Sequence, residues 1–362
     1  MRIKAVYKIN TEMFMGDKNP DVKARLRAAS VKGALRFWFR ALSLADYQTW
    51  EKVQETEDKV FGSINNQAAI LMSLEDSSRL EKKSNCAMWS GGRGYLAYGL
   101  EKEKDNGKNE NCNNKAKVLR PYIAPDQIFS LKIIQLRDDV DISNLVRAVK
   151  LLGLIGGLGS RSRRGFGSVM LQSLLIDGKE EWHPAKTTDE LQEQILHVVP
   201  IRLPVDLPEY TAFSHFSRVV IVKESHEGIG DKFQKYRKDH FKKDGLIAKT
   251  VYHDGKVTEH PERVAFGLPH NYFFGNDKKL EIKSKMCERR ASPLFVHIHE
   301  INKEQVCVLS LLPARFLPKG DKIQYKNQGI EVECRDELQL YKTIKGFLDL
   351  FKDKTEVLPC KS

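Results

Sequence analysis

The sequence lacks paired cysteines. Cys86, Cys112, Cys287, Cys307, Cys334 and Cys360 are far apart, with no C-x-x-C among them. A zinc knuckle or ribbon is therefore not expected, and no metal is assigned. Reduced thiols in a cytoplasm are the simplest reading. No apolar run approaches a membrane span, and no charged-then-apolar leader precedes the strand-like start Arg2–Ile9. Neither a membrane segment nor a signal peptide is expected. The chain also lacks a G-x-x-x-x-G-K-[ST] phosphate loop, and no cofactor is expected. Acidic residues are in the minority, 48 against 60 lysines and arginines, which leaves a formal net charge of +12. An excess of that size favours polyanionic partners and speeds encounter with them. A basic surface kept for solubility would give the same total, so the charge informs only where it is concentrated. The 362 residues, 41% of them apolar, exceed one compact core and suit two domains.

Arg2–Ile9 alternates and is rich in β-branched residues, which predicts a strand. Gly16 and Pro20 then break the chain. Ser30 stands where an N-cap belongs, and Val31–Leu44 reads as a helix with Val31, Leu35, Trp38 and Leu42 on one line. Ala68–Leu74 and Ile128–Leu136 read as strands, and Ile142–Ile155 as a second helix with Leu145, Val149 and Leu152 on one side. Gly165–Ile176 leads into a further strand. The order strand, helix, strand, strand, helix, strand is that of a ferredoxin-like unit, also used by RNA-recognition domains. The fold class expected is α+β, with two ferredoxin-like (RRM-like) domains over residues 1–185 and 190–362. The first carries a long insertion at about 75–126, in which Glu101–Lys117 has almost no apolar residues and predicts a mobile loop. In the second half, Ile195–Leu203 and Phe216–Lys223 read as strands and Ile229–Lys243 as a basic helix or loop. Leu294–Glu300 and Gln305–Leu312 read as a strand pair around Asn302-Lys303, and Glu337–Phe351 as a closing helix with Leu338, Tyr341, Ile344 and Leu348 on one face.

Positive charge is concentrated in Gly156–Ser168 (GGLGSRSRRGFGS), where Arg161, Arg163 and Arg164 stand among five glycines. Glycines let backbone approach a ligand closely, and amides with guanidinium forks suit phosphate oxygens. Phe166 offers a face for base stacking. The segment lacks the third glycine of G-x-G-x-x-G, and it follows a helix and enters a strand. Nucleotide-cofactor fingerprints need the reverse order. The plain alternative is a flexible turn with solvated arginines. A second concentration is Ser30–Arg40, where Lys32, Arg36 and Arg40 are spaced by four and form one basic line. Its plain alternative is a core helix whose basic stripe meets water or acids. Together, stripe and loop suggest two walls of a groove that tracks a nucleic-acid backbone.

The run S-x-K-G-A-L-R-F-W-x-R-A-L from Ser30, following Met13–Gly16, resembles the first motif of the RAMP superfamily branch that supplies subunit one of the type III-B CRISPR Cmr effector. Gly157–Gly167 is similar to that family's glycine-rich loop. Phe61-Gly62-Ser63, Phe266-Gly267-Leu268-Pro269 and Arg289-Arg290-Ala291-Ser292-Pro293-Leu294 are similar to its other motifs. The resemblance runs from the N-terminus to at least Leu317-Pro318. It implies two ferredoxin-like domains and a place at one end of a complex assembled on guide RNA. There the subunit lies near the 3′ part of the guide, helps engage target RNA and leaves cutting to another subunit. RNA contacts are then expected at Ser30, Lys32, Arg36, Arg40, Arg161, Arg163, Arg164, Phe166, Arg289 and Arg290, with no catalytic residue. The implied partners are guide (CRISPR) RNA, target RNA and other Cmr subunits.

Two histidines, His297 and His299, share one face of an expected strand, but no third metal ligand stands at useful spacing. His215, His226 and His240 leave open a metal-independent endoribonuclease that processes repeat RNA, since histidine titrates near neutral pH. RAMP relatives with that activity usually carry the glycine-rich loop near the C-terminus, whereas here about half the protein follows it. Arg93, in a second basic glycine turn, suits either RNA contact or a simple turn. For Lys232–Lys243 a solvated helix is favoured over a further basic face.

Overall fold

Strand alternation sets the first layer. In the computed structural model Arg2–Ile9 forms strand β1, with Ile3, Ala5, Tyr7 and Ile9 buried on one face. The structure describes all residues except 17–18, 20–21, 76, 84–90, 103–117, 256, 258, 275–278, 327 and 361–362, so most of the stretch expected to be mobile lies outside the described residues. After β1 come helices α1 (Ala28–Tyr47) and α2 (Trp50–Phe61), strand β2 (Ile70–Glu75) and the short helix α3 (Gly91–Leu96). Strand β3 (Ile128–Gln135), helix α4 (Ser143–Leu154) and strands β4 (Val169–Ile176) and β5 (Lys179–Trp182) follow. They build one antiparallel sheet in the order β2-β3-β1-β4-β5. Its first four strands have the order and connections of a ferredoxin-like unit. The apolar lines of α1 and α4 are buried, as their spacing predicts. Helix α2 was not expected from sequence. Thr49 caps it, accepting a hydrogen bond from Lys52 N at 3.5 Å.

The second half contains helix α5 (Thr188–Val198), strand β6 (Arg218–Val222), helices α6 (His226–His240) and α7 (Lys242–Asp254), and strands β7 (His270–Phe273) and β8 (Lys279–Ser284). Strands β9 (Leu294–Ile301), β10 (Glu304–Leu311), β11 (Ile323–Tyr325) and β12 (Ile330–Val332), helix α8 (Glu337–Asp349) and strand β13 (Thr355–Leu358) complete it. The sheet order β9-β10-β6-β13 repeats the ferredoxin-like pattern of the first half. Strands β7, β8, β11 and β12 form a smaller sheet from two insertions. Between β9 and β10, Asn302 and Lys303 have φ of 53° and 66°, a two-residue turn matched to strand twist.

Two expectations fail here. Residues 195–203 are not a strand, because helix α5 runs through the first part of that segment. Thr187 caps it by accepting from Glu190 N at 3.1 Å, and Glu190 in turn accepts from Lys186 N at 2.9 Å. That T-x-x-E signal is close to a capping box and outweighs the β-branched run after it. In α8, Leu338 is exposed, and Leu340 and Phe347 take the buried places beside Tyr341, Ile344 and Leu348.

The second sheet is buried on both faces. Val219, Ile221, Phe295, Val306 and Val308 point into the core formed with α1, α4 and α5. Their neighbours Val220, Val222, Val296, Cys307 and Leu309 point into the core formed with α6 and α8. The layers therefore run sheet, helices, sheet, helices. This explains why β9 and β10 read as nearly continuous apolar runs: neither face meets water.

Helices α3 and α6 touch backbone to backbone at Gly92 and Gly230. A Cβ on Gly92 would lie 2.0 Å from Asp231 N, and one on Gly230 2.2 Å from Gly92 O. Gly230→Ala is expected to cost about 1–3 kcal/mol by forcing the helices apart. Urea unfolding would show a lower midpoint at unchanged slope, and an unchanged midpoint would disprove the tight crossing.

Candidate nucleic-acid interface

Helix α4 ends inside the molecule, between the two sheets. Its last carbonyls lack partners within the helix and cannot reach water. The second sheet supplies them. His299 Nε2 donates to Leu154 O at 2.8 Å, and His297 Nδ1 donates to Gly156 O. Both rings are fully enclosed. Burial holds His299 down to about 4, and burial together with His299 pushes His297 far below the usual imidazole range. Neutral, oriented and occupied by carbonyls, they act as caps, not as a metal pair. Among the described residues no three His, Cys, Asp or Glu side chains converge as a metal site.

Those caps fix the start of Gly156–Ser168. Leu158 N donates to Gly167 O at 2.9 Å, and Thr11 Oγ1 and Ser168 Oγ donate to Gly165 O at 2.6 and 3.0 Å. His226 Nε2 donates to Arg164 O at 2.8 Å. Gly167 has φ +63°, and a Cβ there would sit 1.9 Å from Leu158 O, so packing alone excludes a side chain. The segment is a pinned knot with one 3-10 turn, Ser162–Arg164, not a mobile basic loop.

Between this knot and α1 opens a cleft of about 430 Å³, lined by Arg27, Ser30, Phe37, Trp38, Ser160, Arg163 and Phe295 among others. The two expected walls do meet, but through a different stripe of α1. Ser30 lines the cleft from inside the helix. The helix begins at Ala28, after Arg27, whose side chain makes no capping bond. Ser30 is therefore not the N-cap expected from sequence. Arg36 and Arg40 turn away toward α2, where Glu57, only 2% exposed, accepts from Arg36 Nε at 2.5 Å and Arg40 Nη1 at 2.7 Å. The basic stripe thus pairs with an acid and does not wall the cleft. Lys32 is half-buried, and burial followed by Arg36 lowers its pKa.

The glycine-knot side chains divide. Phe166 is fully buried, edge-on to Phe14 and His226 with centroids 5.7 and 4.7 Å away. Its ring is not on the surface, so the stacking face expected from sequence is not available. Arg163 lies over Phe295 at 4.4 Å and Phe37 at 5.4 Å and donates to Ser292 O, while reaching the cleft. Arg161 donates to Tyr98 O at 2.5 Å. Burial, followed by the charges of Arg164, Arg289 and Arg120, lowers Arg161 to about 10. Burial and then Arg290 lower Arg163 to about 10. Both remain cationic near neutral pH, pressed against like charges. Arg289 is exposed. Arg290 donates to Arg315 O at 3.1 Å, and its backbone pairs with Leu268, which joins the two later sequence motifs.

Sequence reasoning missed Arg27 and Arg120, which are brought in by chain folding and carry no local pattern. It left Arg93 open. Arg93 pairs with Glu12, and residues 89–90 of its turn lie outside the described residues.

Residues 6–170 match the model of the RAMP superfamily. The chain is 23% identical over 312 residues to the CRISPR system Cmr subunit Cmr1-1 of Pyrococcus furiosus, covering 81% of this chain and 82% of the relative. It is 28% identical over 179 residues to Cmr1-2 of the same organism, covering 45% and 91%. The fold is similar to the apo crystal structure of Cmr1 from Pyrococcus furiosus, with a TM-score of 0.56, 20% identity and full coverage of both chains. It is also similar to a chain in the cryo-EM structure of the type III-B Cmr-beta complex bound to cognate target RNA, with a TM-score of 0.51, 10% identity and 96% and 99% coverage.

Burial holds His226 and His299 down to about 4, against an ordinary 6.5. The unfolded chain takes up these protons below about pH 6.5 and the folded chain does not until about pH 4. Their stabilising contribution is thus present at neutral pH and lost as pH falls through that window, by about 1–2 kcal/mol each between pH 7 and 5. Denaturation midpoints should drop on acidification, and His299→Gln, which keeps a donor for Leu154 O, should flatten the slope. An equal slope in that variant would contradict the assignment.

Proposed function

We propose, from the match of residues 6–170 to the RAMP superfamily model and the likeness of the fold to Cmr1, that the chain is a non-catalytic RNA-binding subunit of a type III-B CRISPR Cmr effector. In this reading it works in the cytoplasm beside other Cmr subunits, contacting the 3′ part of the guide RNA and the target RNA. The relatives supply the complex, and the arginine field around the glycine knot supports the RNA. Among the described residues, the charged groups that act most on Arg161 are three further arginines, and on Arg163 another, with no carboxylate among them. Like charges held together oppose folding unless a counter-charge serves them in function, and RNA phosphates supply one.

The cleft is the centre of this surface. Arg27 and Ser30 stand on one side, and Ser160, Ser162 and Arg163 on the other, with Phe37 and Trp38 along the floor. Hydroxyls, amides and guanidiniums at that spacing suit sugar-phosphate contacts, which position RNA without reading its sequence. Among the described residues the lining contains no histidine, carboxylate or lysine to serve as a general base. His226, His297 and His299 are occupied by backbone carbonyls. Both observations favour binding over cleavage.

Arg27 and Arg289 are exposed, so replacing them leaves the fold intact. Arg27→Ala/Arg289→Ala should weaken RNA binding for any sequence and flatten the log affinity–log salt slope by roughly one to two. Unchanged affinity and slope would sink the reading. Incubation with repeat RNA in EDTA should leave the RNA whole, and specific products would instead establish a metal-independent endoribonuclease.

A further inference from the structure

A second group of arginines, none of which lines the cleft, comes from three segments that helix α6 joins through His226 on Arg164 O and Phe233 on Phe266 at 4.8 Å. Arg164 comes from the knot, Arg237 from helix α6, and Arg263 from the 3-10 turn Glu262–Phe266 just before β7. All three are half-buried. Arg237 Nη1 donates to Tyr95 OH at 3.2 Å, and its guanidinium lies 5.4 Å from the Tyr95 ring. Arg263 lies 4.8 Å from the Tyr272 ring and its Nη2 donates to His270 Nδ1 at 3.3 Å. His270 Nε2 interacts with Arg263 O at 2.9 Å.

No ion pair joins Arg164, Arg237 or Arg263 to a carboxylate among the described residues. The acid that bears on this group, Asp244, spends its oxygens on the backbone amides of Glu262 and Arg263, at 2.9 and 2.8 Å. The guanidiniums act on each other: after burial, the opposing influences on Arg164 are Arg237 and Arg263. His270 is held down to about 3 by burial and then by Arg263, with Arg164 and Arg237 also contributing. A separate observation concerns Tyr272. Its hydroxyl is buried and has no hydrogen-bond partner among the described residues. Buried hydroxyls are rarely left without one, and such an orphan calls for a partner supplied from outside.

The geometry points to an oxyanion site, in which Arg164, Arg237 and Arg263 with the Tyr272 hydroxyl bind a phosphate monoester. The charge selects the class. Three guanidiniums without a counter-ion match a dianion better than the single charge of a phosphodiester. Planar guanidinium forks bind phosphate oxygens two at a time, and the orphaned hydroxyl adds a neutral donor. Two sources carry this group: a free mononucleotide, or the phosphorylated end of an RNA chain. The second rests on the RNA-binding reading above, whereas the first does not.

The full chain is titrated with inorganic phosphate, then with AMP, then with a short RNA bearing a terminal phosphate and the same RNA bearing a hydroxyl. Sodium chloride at equal ionic strength is the control. Phosphate should raise the melting temperature of the wild type, and chloride should not. Arg237→Gln and Arg263→Gln should each weaken phosphate binding about tenfold or more, and Tyr272→Phe less. Each arginine variant also loses its contacts with Tyr95 or with Tyr272 and His270, so the shift with phosphate is read against that variant's own ligand-free melting temperature. A purely structural role would leave that shift at its wild-type size. Preference for the phosphorylated RNA over AMP assigns the group to an RNA end, and the reverse assigns it to a nucleotide. The cleft variant Arg27→Ala/Arg289→Ala should keep the phosphate response, so loss of RNA binding in the cleft is distinguishable from failure of this site. No shift with phosphate, a shift reproduced by chloride, or an equal shift in Arg237→Gln would overturn the site.

Discussion

Everything around the candidate interface depends on where helix α4 stops. Its last carbonyls are buried between two sheets, and a buried carbonyl needs a donor. His297 and His299 provide it from strand β9. Those two bonds bring the second half of the chain onto the first at the point where the glycine knot begins. The knot in turn sets the position of Arg163, which places its guanidinium over Phe295 of the same strand. One pair of neutral imidazoles thus aligns helix, knot and sheet, and the cleft lies at that junction.

The glycines of the knot serve closeness of backbone to backbone. With Gly167 held against Leu158 and Gly165 against His226, the segment is rigid before any ligand arrives. A rigid display of guanidiniums loses little freedom on binding, which favours affinity. The same rigidity keeps Arg163 and Arg164 in separate groups. Arg163 reaches the cleft, and Arg164 reaches toward Arg237 and Arg263.

Much of the first half was legible in the sequence. Alternation in β1 and helical spacing in α1 and α4 are local signals, and the order of elements then fixes the sheet topology. The hairpin at Asn302-Lys303 was legible for the same reason. Helix α5 was misread because its capping signal at Thr187 and Glu190 was passed over in favour of the apolar residues that follow. The site was only half legible. Sequence spacing shows that Lys32, Arg36 and Arg40 share a stripe, but not that Glu57 on another helix takes up two of them. It shows Phe166 beside arginines, but not the aromatic cluster that encloses it. Arg237 and Arg263 come together only through folding, and no spacing rule connects them.

The layered arrangement also bears on how the chain is made. The helices α1 and α4 are covered on one side by the first sheet, and their other side is covered only when β6, β9 and β10 are in place. Synthesis proceeds from the N-terminus, so an apolar surface including Trp38 waits for strands that end at Leu311. At ordinary elongation speeds that interval is on the order of ten seconds. During it the nascent chain presents a sticky helical face to solvent.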